Sequence, residues 1–476
     1  MYFYSPVFLF IFLPAVFLLY RLIPTLRIKN LLLACASIVF YAFGQLYYVP
    51  LFLGSVVLNY VSGLLLMGKR PHRRLILALS VLLNIGVLCF FKYTNFTIDN
   101  LNAVYSLALP HKNIILPIGI SFFTFQGLSY TIDVYRDPKD GTHDFLKLLL
   151  YISFFPQLIA GPIVKYHDVA DQIDSRECRP ETTVYGIRRF VFGLAKKALI
   201  ADALGRIVDR VFDEYLPGGI TDWRIMWLGA VCFTLEIYFD FGGYSDMAIG
   251  MGRMFGFRFK ENFDHPYGSS SMKEFWRKWH ISLSSWFKEY LYIPLGGNRK
   301  GRARTALNKL IVFFCTGIWH GAAWTYVLWG LGHGLLTSLE DLGVLPAKRL
   351  EKSRVGRIVS KLYTLMAVML LFVLFHSAGV AEGFRMIALM FSGKVDPYST
   401  FLLRSMLDPA ACFMLLASLL LCGNLPGKLL AAFEAGRAHE SRALRVLGCA
   451  GLLALYLLCL MELARGSYNP FIYFQF

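Results

Sequence analysis

The chain has 476 residues, 56% of them hydrophobic, and a positive mean hydropathy. Many apolar runs reach the roughly twenty residues that cross a bilayer as a helix, which excludes an ordinary soluble domain and predicts an all-α polytopic membrane protein. The net charge of +17 invites a nucleic-acid reading, but the basic residues sit mostly in short loops between spans, where positive charge marks the cytoplasmic side, so no nucleic acid is expected as a partner.

Strand signals would need the alternating ten-residue segments of outer-membrane barrels, and these are absent. Of the nine cysteines only Cys178 lies in a clearly polar loop. No Cys-x-x-Cys or Cys/His ligand spacing appears, so neither a disulfide framework nor a metal site is expected.

Taken in order, the first spans read as residues 6–23, 30–48, 51–67 and 75–91. The first run has no basic segment before it and no small-residue cleavage site after it, which predicts a retained span. Arg21, Arg27 and Lys29 follow the first span and Arg73 and Arg74 the third, so both loops belong in the cytoplasm and Met1 outside. The run 115–135 holds Pro117, Gly119, Ser121, Thr124, Gln126 and Ser129, too polar for a lipid-facing helix, and should face protein or a cavity. Residues 146–164 close with Pro156, Gly161 and Pro162, which predicts a broken, re-entrant segment shielded by protein or lining water.

Residues 190–200 read as a short basic interfacial helix. The span 223–251 carries Glu236, Asp240 and Asp246, which either pair with nearby Arg and Lys or line a polar path. Residues 272–291 have the clearest amphipathic period, with Phe275, Trp276, Trp279, Leu283, Trp286 and Tyr290 on one face and Arg277, Lys278 and Lys288 opposite. One continuous helix along the membrane surface is predicted there, followed by a basic cytoplasmic loop; the pair occupies 268–305. His280 falls on the aromatic face, where a satisfied packing histidine is the commoner reading.

The stretch Thr316-Gly317-Ile318-Trp319-His320-Gly321-Ala322-Ala323-Trp324 lies inside the apolar run 310–336. An imidazole at membrane depth is costly unless it is hydrogen-bonded, faces a wet cavity or does chemistry, so His320 is the first functional candidate. As one helix, Thr316, Gly317, His320, Gly321 and Trp324 would share a face. The glycines leave room either for a substrate or for a closely packed partner helix. No carboxylate lies between Leu310 and Leu339, so any partner that orients the imidazole must come from elsewhere. Further apolar runs follow, giving about a dozen membrane segments, some re-entrant, in a single membrane domain over 1–476.

Four motifs together resemble the membrane-bound O-acyltransferase family, in particular its bacterial alginate-acetylating branch. They are Leu116-Pro117-Ile118-Gly119-Ile120-Ser121-Phe122-Phe123, Tyr238-Phe239-Asp240-Phe241-Gly242-Gly243-Tyr244-Ser245-Asp246, Phe275-Trp276-Arg277-Lys278-Trp279-His280-Ile281-Ser282, and Trp319-His320-Gly321. The resemblance covers roughly residues 1–340, rests on hydropathy alone from there to 463, and returns at 469–476.

It implies a ring of about a dozen tilted transmembrane and re-entrant helices around a thin, tunnel-bearing centre. His320 matches the family's invariant histidine and His280 its second. Trp276, Arg277, Trp279, Asp240, Tyr244, Asp246 and Trp319 fall in motifs expected to line the donor site or tunnel. The implied reaction moves an acetyl group from cytoplasmic acetyl-CoA, as donor substrate with no bound cofactor, across a bacterial cytoplasmic membrane. A periplasmic partner, an SGNH-type or alginate-acetylation-type acyltransferase, would pass it to an exported polysaccharide. A lipid or protein hydroxyl is the alternative acceptor. A transporter built on discontinuous helices is the alternative class, but the paired halves it needs are not seen. In the related D-alanylation system a small separate membrane protein ends in a Pro-Phe-Ile-Tyr-x-x-Phe pattern whose tyrosine is thought to carry the acyl group. Pro470-Phe471-Ile472-Tyr473-Phe474-Gln475-Phe476 fits it, which implies an acyl relay at Tyr473; an aromatic interfacial anchor is the other reading.

Overall fold

The computed structural model describes all residues except 69–70, 346–349, 351–352, 425–441, 466–470 and 473–476. Every regular element among them is helical, as the hydropathy requires. Five stretches are long and apolar enough to cross a membrane: Leu26–Met67, Arg73–Tyr105, Trp223–Met254, Arg354–His376 and Ala443–Ala464. The first of these is two helices, Leu26–Gln45 and Val49–Met67, parted at Gly44 by a left-handed backbone. A bent pair, Ser399–Met406 and Pro409–Leu421, makes a sixth if it counts as one span. The other predicted segments are, among the described residues, shorter or more polar helices.

The contacts divide into two compact units, Met1–Phe190 with Tyr244–Glu261, and Val191–Gly243 with Asn262–Phe476. In the first unit, polar side chains join three helices. Asn59 and Asn84 exchange amide hydrogen bonds of 3.1 and 3.2 Å, and Thr131 donates to Asn59 at 2.9 Å. Such pairing satisfies polar groups that hydrocarbon would leave stranded. Helix Ile120–Arg136 is buried along most of its length, as its polar composition predicted.

The segment after Phe145–Ser153 breaks at Phe154, resumes for Phe155–Leu158, and then runs without helix to Lys165, buried throughout. Tyr151 donates to the Val164 carbonyl at 2.9 Å, and the Phe155 amide to Ser37 at 3.0 Å, so the irregular backbone is satisfied by protein. Asp246 and Tyr244 belong to this unit. Asp246 accepts from Arg189 at 2.8 Å, and Arg189 also binds Glu261; Tyr244 stacks on Phe3 with ring centroids 4.5 Å apart.

The expected short interfacial helix at 190–200 is instead part of a continuous helical stretch from Pro180 to Tyr215, with π-helical turns at Lys196–Ala201 and Arg210–Tyr215. Its basic residues suggested a surface, but Lys197 is buried and ion-paired.

The predicted single helix through Trp319-His320-Gly321 is also corrected. Helix Gly301–His320 ends at the histidine, Gly321 and Ala323 are extended, and a second helix, Trp324–Leu342, folds back. A Cβ on Gly330 would overlap the Phe313 carbonyl oxygen, and one on Gly317 the Tyr326 carbonyl oxygen. The glycines therefore serve a close helix hairpin, and Gly321 makes room for the Tyr326 ring. Trp324, expected on the His320 face, is 54% exposed on the second helix. Gly330→Ala should lower stability by about 1–3 kcal/mol, because backbone cannot move aside as a flexible side chain would. Thermal unfolding in detergent reads this, and an unchanged midpoint would mean that the two backbones do not touch.

Candidate active site

The predicted surface helix 272–291 is two helices, Met272–Lys278 and Ile281–Phe287, with a π-helical turn at Lys288–Tyr292. The first starts with a reciprocal cap. Ser271 Oγ accepts from the Glu274 amide at 3.1 Å, and Glu274 accepts from the Ser270 amide at 2.7 Å. Glu340, in the returning hairpin helix, accepts from the Met272 amide at 2.7 Å and so sets this helix against the hairpin. It stops because Trp279 is extended and His280 takes a left-handed backbone, φ +44°, which is rare for a residue with a bulky side chain.

The strained turn is held by a neighbouring strand of irregular backbone. The Ile281 amide donates to the Asn262 carbonyl at 2.9 Å, and the Asp264 amide to the Lys278 carbonyl at 2.9 Å. Strain of this kind persists only where surroundings over-determine it, and such places are often functional. Here the turn aims the imidazole of His280, fully buried, toward His320; the ring centroids are 6.4 Å apart.

Hydrogen bonding fixes the chemistry of His280. The Ser282 amide donates to Asn262 Oδ1 at 3.2 Å and Ser282 Oγ donates to it at 2.9 Å, so the atom facing them is the amide oxygen. His280 Nδ1, 3.2 Å from the same oxygen, therefore carries the proton, and Nε2 keeps its lone pair. His280 lies outside every candidate span, and burial pushes its pKa down to about 3, so the ring is neutral at physiological pH.

His320 ends its helix, 6% exposed, within an aromatic box: Trp319 and Trp329 at 5.0 Å and Phe375 at 5.4 Å between ring centroids. Trp319 also lies 6.1 Å from His280, so it touches both imidazoles. Trp276 donates from Nε1 to His333 Nδ1 at 3.1 Å, and His333 sits 4.9 Å from Trp329. His333, Asn262 and Trp329 were not picked out from the sequence. A second histidine in the same apolar run was the available signal for His333; for Asn262, in a charged loop, there was none.

Trp276 also lines a cleft of about 170 Å³ with Leu283, Phe287, Lys288, Lys309 and Thr316, the last of these one turn before His320. Trp279 packs into the core against Phe275 and Phe372, and Arg277 is exposed. Asp240 is buried with Lys197, whose Nζ lies 2.8 Å from it and 2.7 Å from Asp202. Its other oxygen accepts from the Ile472 amide at 2.8 Å, and Phe471 rests 6.1 Å from Phe241, itself 4.6 Å from His280. The tail is thus pinned one aromatic ring from the histidine pair; Tyr473 lies outside the described residues.

The family model of membrane-bound O-acyltransferases matches residues 119–345, which include both histidines. A protein described as a probable alginate O-acetylase in Pseudomonas aeruginosa is 42% identical over 402 residues, 82% of this chain and 75% of the relative. The protein of the same description in Azotobacter vinelandii is 37% identical over 512 aligned residues, 100% of each. A peptidoglycan O-acetyltransferase of Helicobacter pylori is 38% identical over 371 residues, 71% of this chain and 70% of the relative.

Proposed function

The chain belongs to the membrane-bound O-acyltransferase family, and from that premise we propose that it transfers acetyl groups from cytoplasmic acetyl-CoA for the O-acetylation of an exported polysaccharide. It is a multi-pass acyltransferase; the donor, the acceptor and the residue roles are our reading. The observation that carries it is the meeting of His280 and His320, forty positions apart, in one buried aromatic site. The names of the relatives favour a polysaccharide over a lipid or protein hydroxyl as the final acceptor. The cleft lined by Trp276 and Thr316 is small, below the roughly 300 Å³ of pockets that hold drug-sized ligands, which favours a short acyl chain.

A thioester is already activated, so the enzyme has to deprotonate the attacking hydroxyl and accommodate the oxyanion. His320 acts as the general base: it takes the hydroxyl proton as the oxygen bonds to the thioester carbonyl carbon. The tetrahedral intermediate then collapses, the carbon–sulfur bond breaks, and the imidazolium returns its proton to the departing thiolate. The His280 tautomer suits an orienting role, since a lone pair on Nε2 accepts a hydrogen bond and cannot donate one to a carbonyl. Asn262→Ala removes the acceptor that sets this tautomer. Turnover should fall about ten- to hundredfold, the equivalent of one buried polar group left unsatisfied. The acetylation rate in membrane vesicles reads it, and a native rate would leave His280 unconstrained by Asn262.

The acetyl group would leave on Tyr473, whose neighbours Phe471 and Ile472 are buried beside the site. A periplasmic SGNH-type or alginate-acetylation-type acyltransferase would then collect it. Incubation with labelled acetyl-CoA followed by mass spectrometry of the C-terminal peptide tests both steps. Acetyl on Tyr473 is expected in the native protein and absent after Tyr473→Phe. An unlabelled peptide in a protein that still acetylates its acceptor would remove the relay, and no use of acetyl-CoA at all would remove the donor assignment.

A further inference from the structure

The first unit contains an open cavity of about 800 Å³. Four arginines line it, Arg176, Arg179, Arg253 and Arg258, with two carboxylates, Asp174 and Glu177. Both carboxylates are already engaged: Asp174 lies 2.6 Å from Lys147 Nζ, and Glu177 lies 2.8 Å from Arg179. Among the described residues, Arg176, Arg253 and Arg258 form no ion pair, so three guanidinium charges converge without a counter-charge.

Two of them hold buried donors that no protein acceptor meets. Arg176 uses Nε on the Tyr20 hydroxyl and the Phe255 carbonyl, both at 3.1 Å, and Nη1 on the Gln172 carbonyl at 3.2 Å. Its Nη2, like Nε of Arg253, is buried with no hydrogen-bond partner among the described residues. A buried donor left unmet costs stability, and one attached to a full charge costs more. Arg258 completes the wall from the exposed side, its backbone amide tied to Gln172 Oε1 at 2.7 Å.

We propose that this cavity binds a phosphate group. Phosphate oxygens supply the acceptors and the charge that three forked guanidiniums lack, and arginine matches that geometry with paired hydrogen bonds. Leu26 lines the cavity and begins its helix beside Arg27 and Lys29, whose charge, with that of Arg21 just before, assigns this end to the cytoplasm; Arg21 also donates to the Cys178 carbonyl at 3.2 Å. Two cytoplasmic sources share this chemistry, a soluble diphosphate and the headgroup of an anionic phospholipid.

The test uses the full-length protein in phosphatidylcholine nanodiscs. Inorganic pyrophosphate is titrated by calorimetry, and retention of added phosphatidylglycerol is followed by native mass spectrometry. Arg253→Gln with Arg258→Gln should weaken one of these probes by about tenfold or more, the size expected when a charge-assisted hydrogen bond is lost. Weaker pyrophosphate binding identifies the soluble source, and weaker lipid retention the membrane. Arg258→Glu alone repeats the test on an exposed side chain should the double variant fail to fold. If the native protein binds neither probe, or the variants bind both as well as the native protein does, the proposal is overturned.

Discussion

Replacing His320 with alanine should lower acyl transfer by about a hundred- to ten-thousandfold, the usual worth of a positioned general base, while membrane-inserted protein accumulates at the native level. The side chain ends its helix, so the change breaks no helical hydrogen bond, and it removes a ring from a box in which Trp329 and Phe375 keep their own contact. His280→Ala should cost less in turnover if its part is to orient. Because the two imidazoles share one site, the double variant should be little slower than His320→Ala alone, as residues acting as a unit are not additive. Transfer of labelled acetyl in vesicles, normalised to protein amount, measures all three. A His320→Ala protein that keeps native turnover would end the role given to this residue, and a double variant slower by the product of the two single effects would separate the histidines.

The second large effect is structural and concerns Asp240. Its carboxylate is 1% exposed, binds Lys197, and receives the amide of Ile472 from the chain's end. Asp240→Ala removes one of the carboxylates that bind Lys197 and strands a buried amide. Breaking a buried pair from one side costs up to about 3–5 kcal/mol, reached when the remaining charge has no other partner, and Asp202 keeps the loss below that ceiling. A marked fall in the thermal midpoint is expected in detergent, together with release of the tail, read as faster labelling of a cysteine placed at Ile472. Asp240→Asn should lose less, since the amide oxygen still accepts from Ile472. An alanine variant as stable as the native protein would reduce the Lys197 cluster to an accident of packing.

Composition and period were enough for the all-helical class, for the buried polar helix at Ile120–Arg136, and for the interruption near Pro156, because each follows from what hydrocarbon tolerates along a short stretch of chain. They failed where local periodicity and tertiary contact disagree. The amphipathic pattern through Trp276 and Trp286 continues unbroken across His280, yet Asn262 draws the backbone into a left-handed turn there. The apolar run through His320 looks like one span, yet it becomes a hairpin because Gly317 and Gly330 let two helices close on each other.

The sequence by itself determined which residues carry unusual chemistry: an imidazole is expensive in an apolar run wherever the chain goes, so His320 stood out before any fold was known. Tertiary structure alone decided what that imidazole meets. The tautomer of His280, the link from Trp276 to His333 and the anchoring of Ile472 on Asp240 join residues from 18 to 232 positions apart. No local period encodes such pairings, because they depend on how helices pack in space rather than on the order of residues within any one of them.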